Sequence, residues 1–346
     1  MLRISDRKHL VRIVLALVMI AVLVVPTVAA MGASIMKIEG STTVYPIAVN
    51  SEIPFEVMSG LDLQIAGTGS SAGLTALKSN LIDVGMSSSD YSADPAVSSY
   101  RIARDAVCVI VPTEKYNNGV QNLTQAQIKG IWEGNVTNWS ALGYTGPDEP
   151  IVPRARATTS GTRETLHKWA PISDSLEVNT INATGLPRLD SNAAMKAAID
   201  ANDDQIGYVG IGYAVGDPAI KVVKVNGVAA TKSNVYTKQF PIWRYLWLMK
   251  LNNDPDWFQE IDDYINYMQE PDSGQDHVLA AGFFKMIPDE DVNKNQSINI
   301  VDVGMIGGKW NQPCTGCRED VNNNGQVNIV DVGMVGGMWN ITYVTN

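Results

Sequence analysis

Three short segments rich in hydroxyls and glycine carry the residue types that hold an oxyanion. They are Gly40-Ser41-Thr42-Thr43-Val44-Tyr45-Pro46, Gly67-Thr68-Gly69-Ser70-Ser71-Ala72-Gly73 and Arg156-Ala157-Thr158-Thr159-Ser160-Gly161-Thr162. The first turn of a helix leaves its N–H groups unpaired and its dipole positive, so hydroxyls gathered there make an anion cradle. Arg156 adds a planar guanidinium that can grip two oxygens of one anion. Taken singly, a Ser or Thr before a helix is only an N-cap. The second segment also satisfies G-x-S-x-G, the nucleophile elbow of a serine hydrolase, with Ser71 at its centre. A triad would need His167 or His277, and no HGGG-type oxyanion loop accompanies the motif, so hydrolysis stands as an alternative.

A different chemistry is written in the tail. After Pro288 the composition turns to Asp, Asn and Gly, and DVNKNQSINIVDVGMIGGKW from Asp291 returns as DVNNNGQVNIVDVGMVGGMW from Asp320, 29 residues on. Oxygen-bearing side chains recur at positions 1, 3, 5, 9 and 12 of each copy. The first supplies Asp291, Asn293, Asn295, Asn299 and Asp302; the second supplies Asp320, Asn322, Asn324, Asn328 and Asp331. This is EF-hand loop spacing, in which one curled loop surrounds a hard cation with oxygens, so two calcium ions are expected. Ser297 and Gln326 occupy the position whose backbone carbonyl ligates, and Ile298 and Val327 share the hydrophobic eighth position. Gly325 fills the sharp turn at position 6 of the second loop, whereas Gln296 stands there in the first and should strain it. Two formal acids per loop suit millimolar extracellular calcium.

Between these features short apolar runs alternate with helical patterns. Strands are expected near 61–66, 106–111, 206–211 and 220–225, and helices near 73–79, 125–133, 163–169, 193–201 and 256–269. The tail adds apolar helical stretches at 300–310 and 329–339. Alternation of this kind indicates an α/β fold, with ligand loops between a strand and the helix that follows. Trp243, Tyr245 and Trp247 alternate as in a half-buried strand, with a sugar-binding platform as the other reading. The expected organisation is a leader or anchor over residues 1–33, a two-lobed domain over 34–287 and a small all-α calcium domain over 288–346.

The leader has a basic start ending at Arg12, an apolar run from Ile13 to Val25, Pro26, and small residues at Val28-Ala29-Ala30. It reads as a secretory signal, or as an uncleaved anchor. Without its net +3, the chain's charge of −10 becomes −13, which excludes nucleic acid as a partner and requires any anion site to be built locally. Cys108 lies in an apolar run as an inert core thiol, and the lone CxxC of Cys314 and Cys317 is expected as a local disulfide. Six Asn-x-Ser/Thr sequons fit export.

Block by block and in order, residues 35–286 resemble the phosphate-binding protein of ABC phosphate importers, the PstS family. GSTTVYPI resembles its opening signature, GTGSSAG its second loop, DVGMSSSD the acidic block after it, and RATTSGTRE its Arg…SGT block. LTQAQIKGIWEGNVTNW, IGYVGIGYA and FPIWRYLWL match later segments. The resemblance implies a periplasmic-binding-protein-like Venus flytrap closing on inorganic phosphate, with an ABC permease as partner and no enzymatic step. Carried over by position, it makes Thr42, Thr43, Ser70, Arg156, Ser160, Gly161 and Thr162 phosphate ligands, with Tyr45 in the aromatic slot beside the first loop. Part of the family uses an Asp in the third block to accept the anion's proton, which fully ionised sulfate lacks. Here Ser88 takes that place, so either Asp90 reaches the anion or Ser87 and Ser88 read it. Sulfate and molybdate are the alternative ligands. The tail, with Asp at position 12 in two copies, resembles a type I dockerin, which implies two calcium ions and a cohesin partner. A degenerate receptor kept as a scaffold element is the remaining alternative.

Overall fold

The computed structural model describes residues 34–314 and 316–344. The leader expected at 1–33 lies outside them. No described helix is long and apolar enough to cross a membrane.

The strands run in chain order as β1 (Ile35–Gly40), β2 (Asp62–Ala66), β3 (Val84–Ser87), β4 (Val97–Pro112), β5 (Asn122–Leu123), β6 (Val152–Pro153), β7 (Gln205–Gly210), β8 (Ile220–Val222), β9 (Lys224–Val225), β10 (Trp243–Leu251), β11 (Ser297–Ile298) and β12 (Ile341–Thr342). The main sheet is ordered β2-β1-β3-β10-β4-β7-β6, with β8 also paired to β4. β1 is parallel to β2 and β3, and β6 to β7, while β10 and β4 run antiparallel to their neighbours. The alternation of strands and helices expected from the sequence is present. Its two lobes share β4, which reads as one 16-residue strand. The first part of β4 pairs with β10, and the rest, from Val107 on, pairs with β7 and β8. β4 therefore runs unbroken from one lobe into the other.

Local chemistry sets the helix boundaries. Thr124 caps the helix Gln125–Trp132 with a full capping box, and Ser160 and Ser191 cap Gly161–Trp169 and Asn192–Asp200 through their hydroxyls. The helix Tyr45–Ser59 has no counterpart among the sequence expectations. Pro46 sits in its first turn, where the missing N–H costs nothing, and Pro54 lies inside it. Burial of Ile47, Ala48, Ser51 and Phe55, spaced along one face, outweighs the hydrogen bond lost at Pro54.

The described residues from Ile35 on cluster as one compact unit. The tail keeps a small apolar core of its own, with Val292, Ile298, Ile306, Val321, Val327, Val335 and Ile341 joined by Tyr236 from the body. Its two helices, Ile300–Gly308 and Ile329–Gly337, were expected; the two-residue antiparallel ladder of β11 with β12 was not. Cys314 and Cys317 are bonded to each other, and Cys108 is a buried free thiol on β4. The aromatic strand is β10. Its rings meet edge-on at 5.3 and 5.8 Å. Lys238 lies 4.8 Å over Trp243, and Arg101 lies 4.4 Å over Tyr245 and 5.2 Å over Trp247. Cations of the chain thus lie against these rings.

Candidate anion site between the lobes

All three hydroxyl-rich segments meet where β4 passes from one lobe to the other. The first follows β1. Thr42 and Thr43 are buried there, and Ser41 organises the turn by accepting from Thr43 N through its hydroxyl at 3.1 Å. The second opens the helix Ser70–Lys78, placing fully buried Ser70 at its first position. The third opens the helix Gly161–Trp169.

Hydrogen bonds between hydroxyls and guanidinium groups draw these segments together. Thr43 Oγ1 lies 3.0 Å from Thr162 Oγ1, and Ser70 Oγ lies 3.1 Å from Ser88 Oγ. Arg156 Nη2 donates to Thr42 Oγ1 at 2.8 Å and to the Asp190 carbonyl at 3.1 Å, and Nε donates to the Leu189 carbonyl at 3.1 Å. Its Nη1 is buried and has no hydrogen-bond partner among the described residues. Burial pulls the Arg156 guanidinium down to about 10, and it stays protonated at neutral pH. A buried guanidinium with a free donor is costly unless a negative group completes it.

Three residues of the site escaped sequence reasoning. Arg244 on β10 donates through Nη2 to Thr162 Oγ1 at 3.1 Å and to Thr43 Oγ1 at 3.3 Å. Asp105 on β4 holds it, accepting from Arg244 Nε at 2.8 Å while its other oxygen takes the Ile211 N–H at 2.9 Å. Burial pushes the Asp105 carboxyl up, opposed by Arg244. Asn192, at the start of its helix, donates to Thr43 Oγ1 at 2.8 Å and Thr42 Oγ1 at 3.3 Å. The available signal was an Asp and an Arg within strand-like, largely apolar runs, a placement that demands a partner. Asn192 carried none beyond its place behind a capping serine.

The expected residues fare differently. Thr42, Thr43, Ser70, Ser88, Arg156, Ser160, Gly161 and Thr162 come together. Ser160 Oγ accepts from Arg163 N at 3.3 Å as an N-cap, which leaves its O–H free to donate. Tyr45 begins its helix at the rim, 38% exposed. Asp90 is not brought in: it is exposed, and its Oδ1 accepts from Ser92 N at 2.9 Å and Ser92 Oγ at 2.6 Å. Three residues past the end of β3 the chain has already turned to solvent. Ser71 lies within the helix rather than on an elbow, its N–H bonded to the Thr159 carbonyl. His167 bonds to Glu177 and His277 to Tyr267, so among the described residues no histidine hydrogen-bonds to Ser71.

The lobes also grip each other at the rim. Glu164 Oε2 accepts from Ser89 Oγ at 2.7 Å and Tyr91 Oη at 3.2 Å, and Tyr213 Oη donates to the Thr42 carbonyl at 2.8 Å. At Gly161 a Cβ would lie 2.5, 2.6 and 2.8 Å from the hydroxyls of Ser70, Ser88 and Ser89. Only glycine lets the third segment approach the other two so closely. Gly161→Ala is therefore expected to keep the fold and weaken anion binding by about 5- to 150-fold, the cost of about 1–3 kcal/mol for forcing an extra carbon into a packed site. Calorimetric titration beside the parent protein reads this out; unchanged affinity would show that the close approach is not required.

Comparison with known proteins agrees with the geometry. The PBP superfamily domain matches residues 27–272. The phosphate-binding protein PstS of Bacillus subtilis (strain 168) is 28% identical over 213 residues, 61% of this chain and 68% of its own. A Clostridium perfringens substrate-binding protein solved with bound phosphate superposes with a TM-score of 0.65 at 28% identity, over 73% of this chain and 99% of that one. An ABC-type phosphate transport receptor from Vibrio cholerae shares the fold, with a TM-score of 0.57 at 24% identity over 72% of this chain and 99% of its own. With two lobes joined by β4, hydroxyl loops facing across them and this run of relatives, the chain belongs to the PBP superfamily and resembles its PstS phosphate-binding proteins.

Proposed function

We propose that this protein captures inorganic phosphate outside the cell and hands it to an ABC permease, without breaking a bond. The observation that carries this reading is the Arg156 guanidinium, buried with one nitrogen free of protein partners among hydroxyls from both lobes. An oxyanion held there takes charge-assisted bonds from Arg156 and Arg244 and neutral bonds from Thr43, Ser70, Ser88 and Thr162, while lobe closure excludes water. The helix opening at Gly161 points its positive end the same way.

One observation favours the runner-up ligand, sulfate or molybdate. Neither nearby carboxylate is offered to the anion, since Asp105 is engaged by Arg244 and Ile211 and Asp90 by Ser92. A serine hydroxyl both donates and accepts, so Ser88, bonded to Ser70, can accept the hydrogen bond donated by the O–H of HPO4²⁻ without a carboxylate. The deciding experiment strips anion by unfolding, refolds in calcium, and titrates phosphate and sulfate calorimetrically. Tight one-to-one binding of phosphate alone supports the receptor, sulfate preference moves it to the runner-up, and binding of neither by folded protein sinks the anion reading.

The tail is proposed as a calcium-loaded, dockerin-like attachment module for a cohesin partner, separate from the domain before residue 288. Its donor set fits calcium. The carboxylates at the ends of each loop, Asp291 with Asp302 and Asp320 with Asp331, are all buried, and among the described residues no Lys or Arg side chain pairs with them. The loops also bond alike: Asp302 Oδ1 and Asp331 Oδ1 each accept, at 3.2 Å, from the N–H of the loop's third residue. Buried acids of this kind call for a cation, and calcium would supply the missing charge.

Position 6 differs between the loops as the sequence suggested, with Gln296 at φ 68° and Gly325 at φ 86°. A side chain in that region costs about 1–2 kcal/mol, partly offset by the extra chain entropy of glycine. Gln296→Gly should tighten calcium in the first loop by up to about fivefold, measured by calcium titration of the whole chain. A weaker first loop in the variant would show that the glutamine is not strained.

A further inference from the structure

We infer that calcium loading of the first tail loop and closure of the two lobes are coupled through Arg104, so that calcium sets the anion affinity of the cleft. This rests on both readings proposed above and adds a linkage between them.

Arg104 and Asp105 are consecutive residues of β4 and point to opposite faces, as neighbours in a strand do. Asp105 faces the cleft and clamps Arg244. Arg104 is fully buried on the other side, beneath the tail. Its guanidinium lies 4.9 Å from the ring centre of Tyr236, 5.2 Å from Tyr245 and 5.4 Å from Tyr343. Nη2 donates to the Val344 carbonyl, while Nε and Nη1 have no hydrogen-bond partner among the described residues. The desolvation of this charge is therefore offset mainly by ring faces, one of which belongs to the tail. If the tail shifts, the arginine on the strand shared by the lobes loses part of its environment.

The tail end of this contact leads to the first calcium loop. Tyr343 Oη donates to Asp291 Oδ2 at 2.6 Å, and the same oxygen takes the Gln296 N–H at 2.7 Å. Asp291 is the first ligand position of that loop. A cation that orders Asp291 also orders the Tyr343 hydroxyl and with it the cage around Arg104. No equivalent runs from the second loop: Asp320 accepts only from Asn324 N and Gly325 N among the described residues.

The tail is also anchored on both sides of the lobe crossing. Lys232, on the second-lobe side, pairs with Glu290 at 2.7 Å. On the first-lobe side Asp272 meets Lys294 at 3.4 Å and Arg318 at 3.5 Å. Tyr236, which shares the tail's core, lies just before the chain recrosses toward β10. A body touching both lobes beside their shared strand must rearrange when they separate. The tail contacts described here coexist with the interlobe bonds of the cleft, so ordering the loop favours the closed arrangement. By linkage, calcium then raises anion affinity, and the anion raises calcium affinity by the same factor.

The test uses the whole chain and inorganic phosphate, with Kd measured calorimetrically in saturating calcium and in EGTA. A phosphate Kd about fivefold or more higher in EGTA is expected, with calcium affinity rising by the same factor in saturating phosphate. Substituting Arg104 would risk the fold, so the diagnostic variant is Tyr343→Phe, which keeps the ring and deletes the bond to Asp291. In it the phosphate Kd should no longer depend on calcium. Phosphate binding indifferent to calcium, in protein shown to load calcium, overturns the coupling and leaves both readings standing. Calcium dependence that survives unchanged in Tyr343→Phe overturns this route. Phosphate binding in neither condition, by folded protein, sinks the anion reading and the coupling with it.

Discussion

Arg156→Ala is expected to raise the phosphate Kd by about two to three orders of magnitude while leaving the protein folded. The guanidinium holds the Thr42 hydroxyl, two carbonyls of the 189–190 segment and one donor free for the anion. Removing one partner of a buried charge pair costs about 3–5 kcal/mol, most of it from the charge left behind. Here that charge is the anion, which can stay in water instead, so the loss appears as affinity. Arg156→Lys separates charge from shape. A lysine brings the charge but not the planar fork, and it should recover only part of the loss. The comparison needs calorimetry for Kd and urea unfolding for the fold. Equal affinity in parent and alanine variant would remove Arg156 from the site and favour a scaffold over a receptor.

Glu177 carries the largest expected effect on stability. It is buried under the helix that begins at Gly161, and its oxygens accept from Arg163 Nη2 at 2.6 Å, Arg188 Nη2 at 2.8 Å and His167 Nε2 at 2.9 Å. Burial pushes its carboxyl up, but the hydrogen bonds from His167, Arg163 and Arg188 win and hold it at about 2. A depressed carboxylate contributes stability that is complete above its ordinary value near 4.5 and is lost as the pH falls toward 2. Glu177→Gln leaves Arg163 and Arg188 side by side without their shared anion. At neutral pH it should cost about 3–5 kcal/mol of unfolding free energy. The gap between parent and variant should narrow as the pH drops from about 4.5 to about 2, because the parent then loses the same charge. A gap independent of pH would mean the carboxylate acts by shape rather than charge.

Much of this molecule could be read before its coordinates. The three hydroxyl segments were legible because each sits between a strand and a helix, where backbone donors are left over. The two tail loops were legible because a twelve-residue frame repeats side-chain oxygens at fixed offsets, and Gln296 was visible as the residue out of place. What stayed hidden depends on pairing across long stretches of chain. Arg244 and Asp105 are 139 residues apart, and only the antiparallel register of β10 on β4 sets them opposite one another. The choice between Asp90 and the serines stayed open in the sequence for a similar reason. Sequence distance from Ser88 is short, yet the chain bends outward after β3 and ties the carboxylate to Ser92. The helix Tyr45–Ser59 was obscured by Pro54, a residue that usually ends a helix and here is tolerated because the opposite face is buried.

The free thiol of Cys108 lies on the stretch of β4 that pairs with β7, opposite Val209, close to where the strand leaves the first lobe. It is fully buried, and burial pushes its thiol well above the ordinary range, so it is a poor nucleophile in place. The other two cysteines are tied to each other. A thiol reagent can thus reach Cys108 only when the strand joining the lobes breaks open, and the rate of modification becomes a clock for that event. Run with and without phosphate, the same clock reports how firmly a captured ion locks the joint, from inside the protein and without an engineered cysteine.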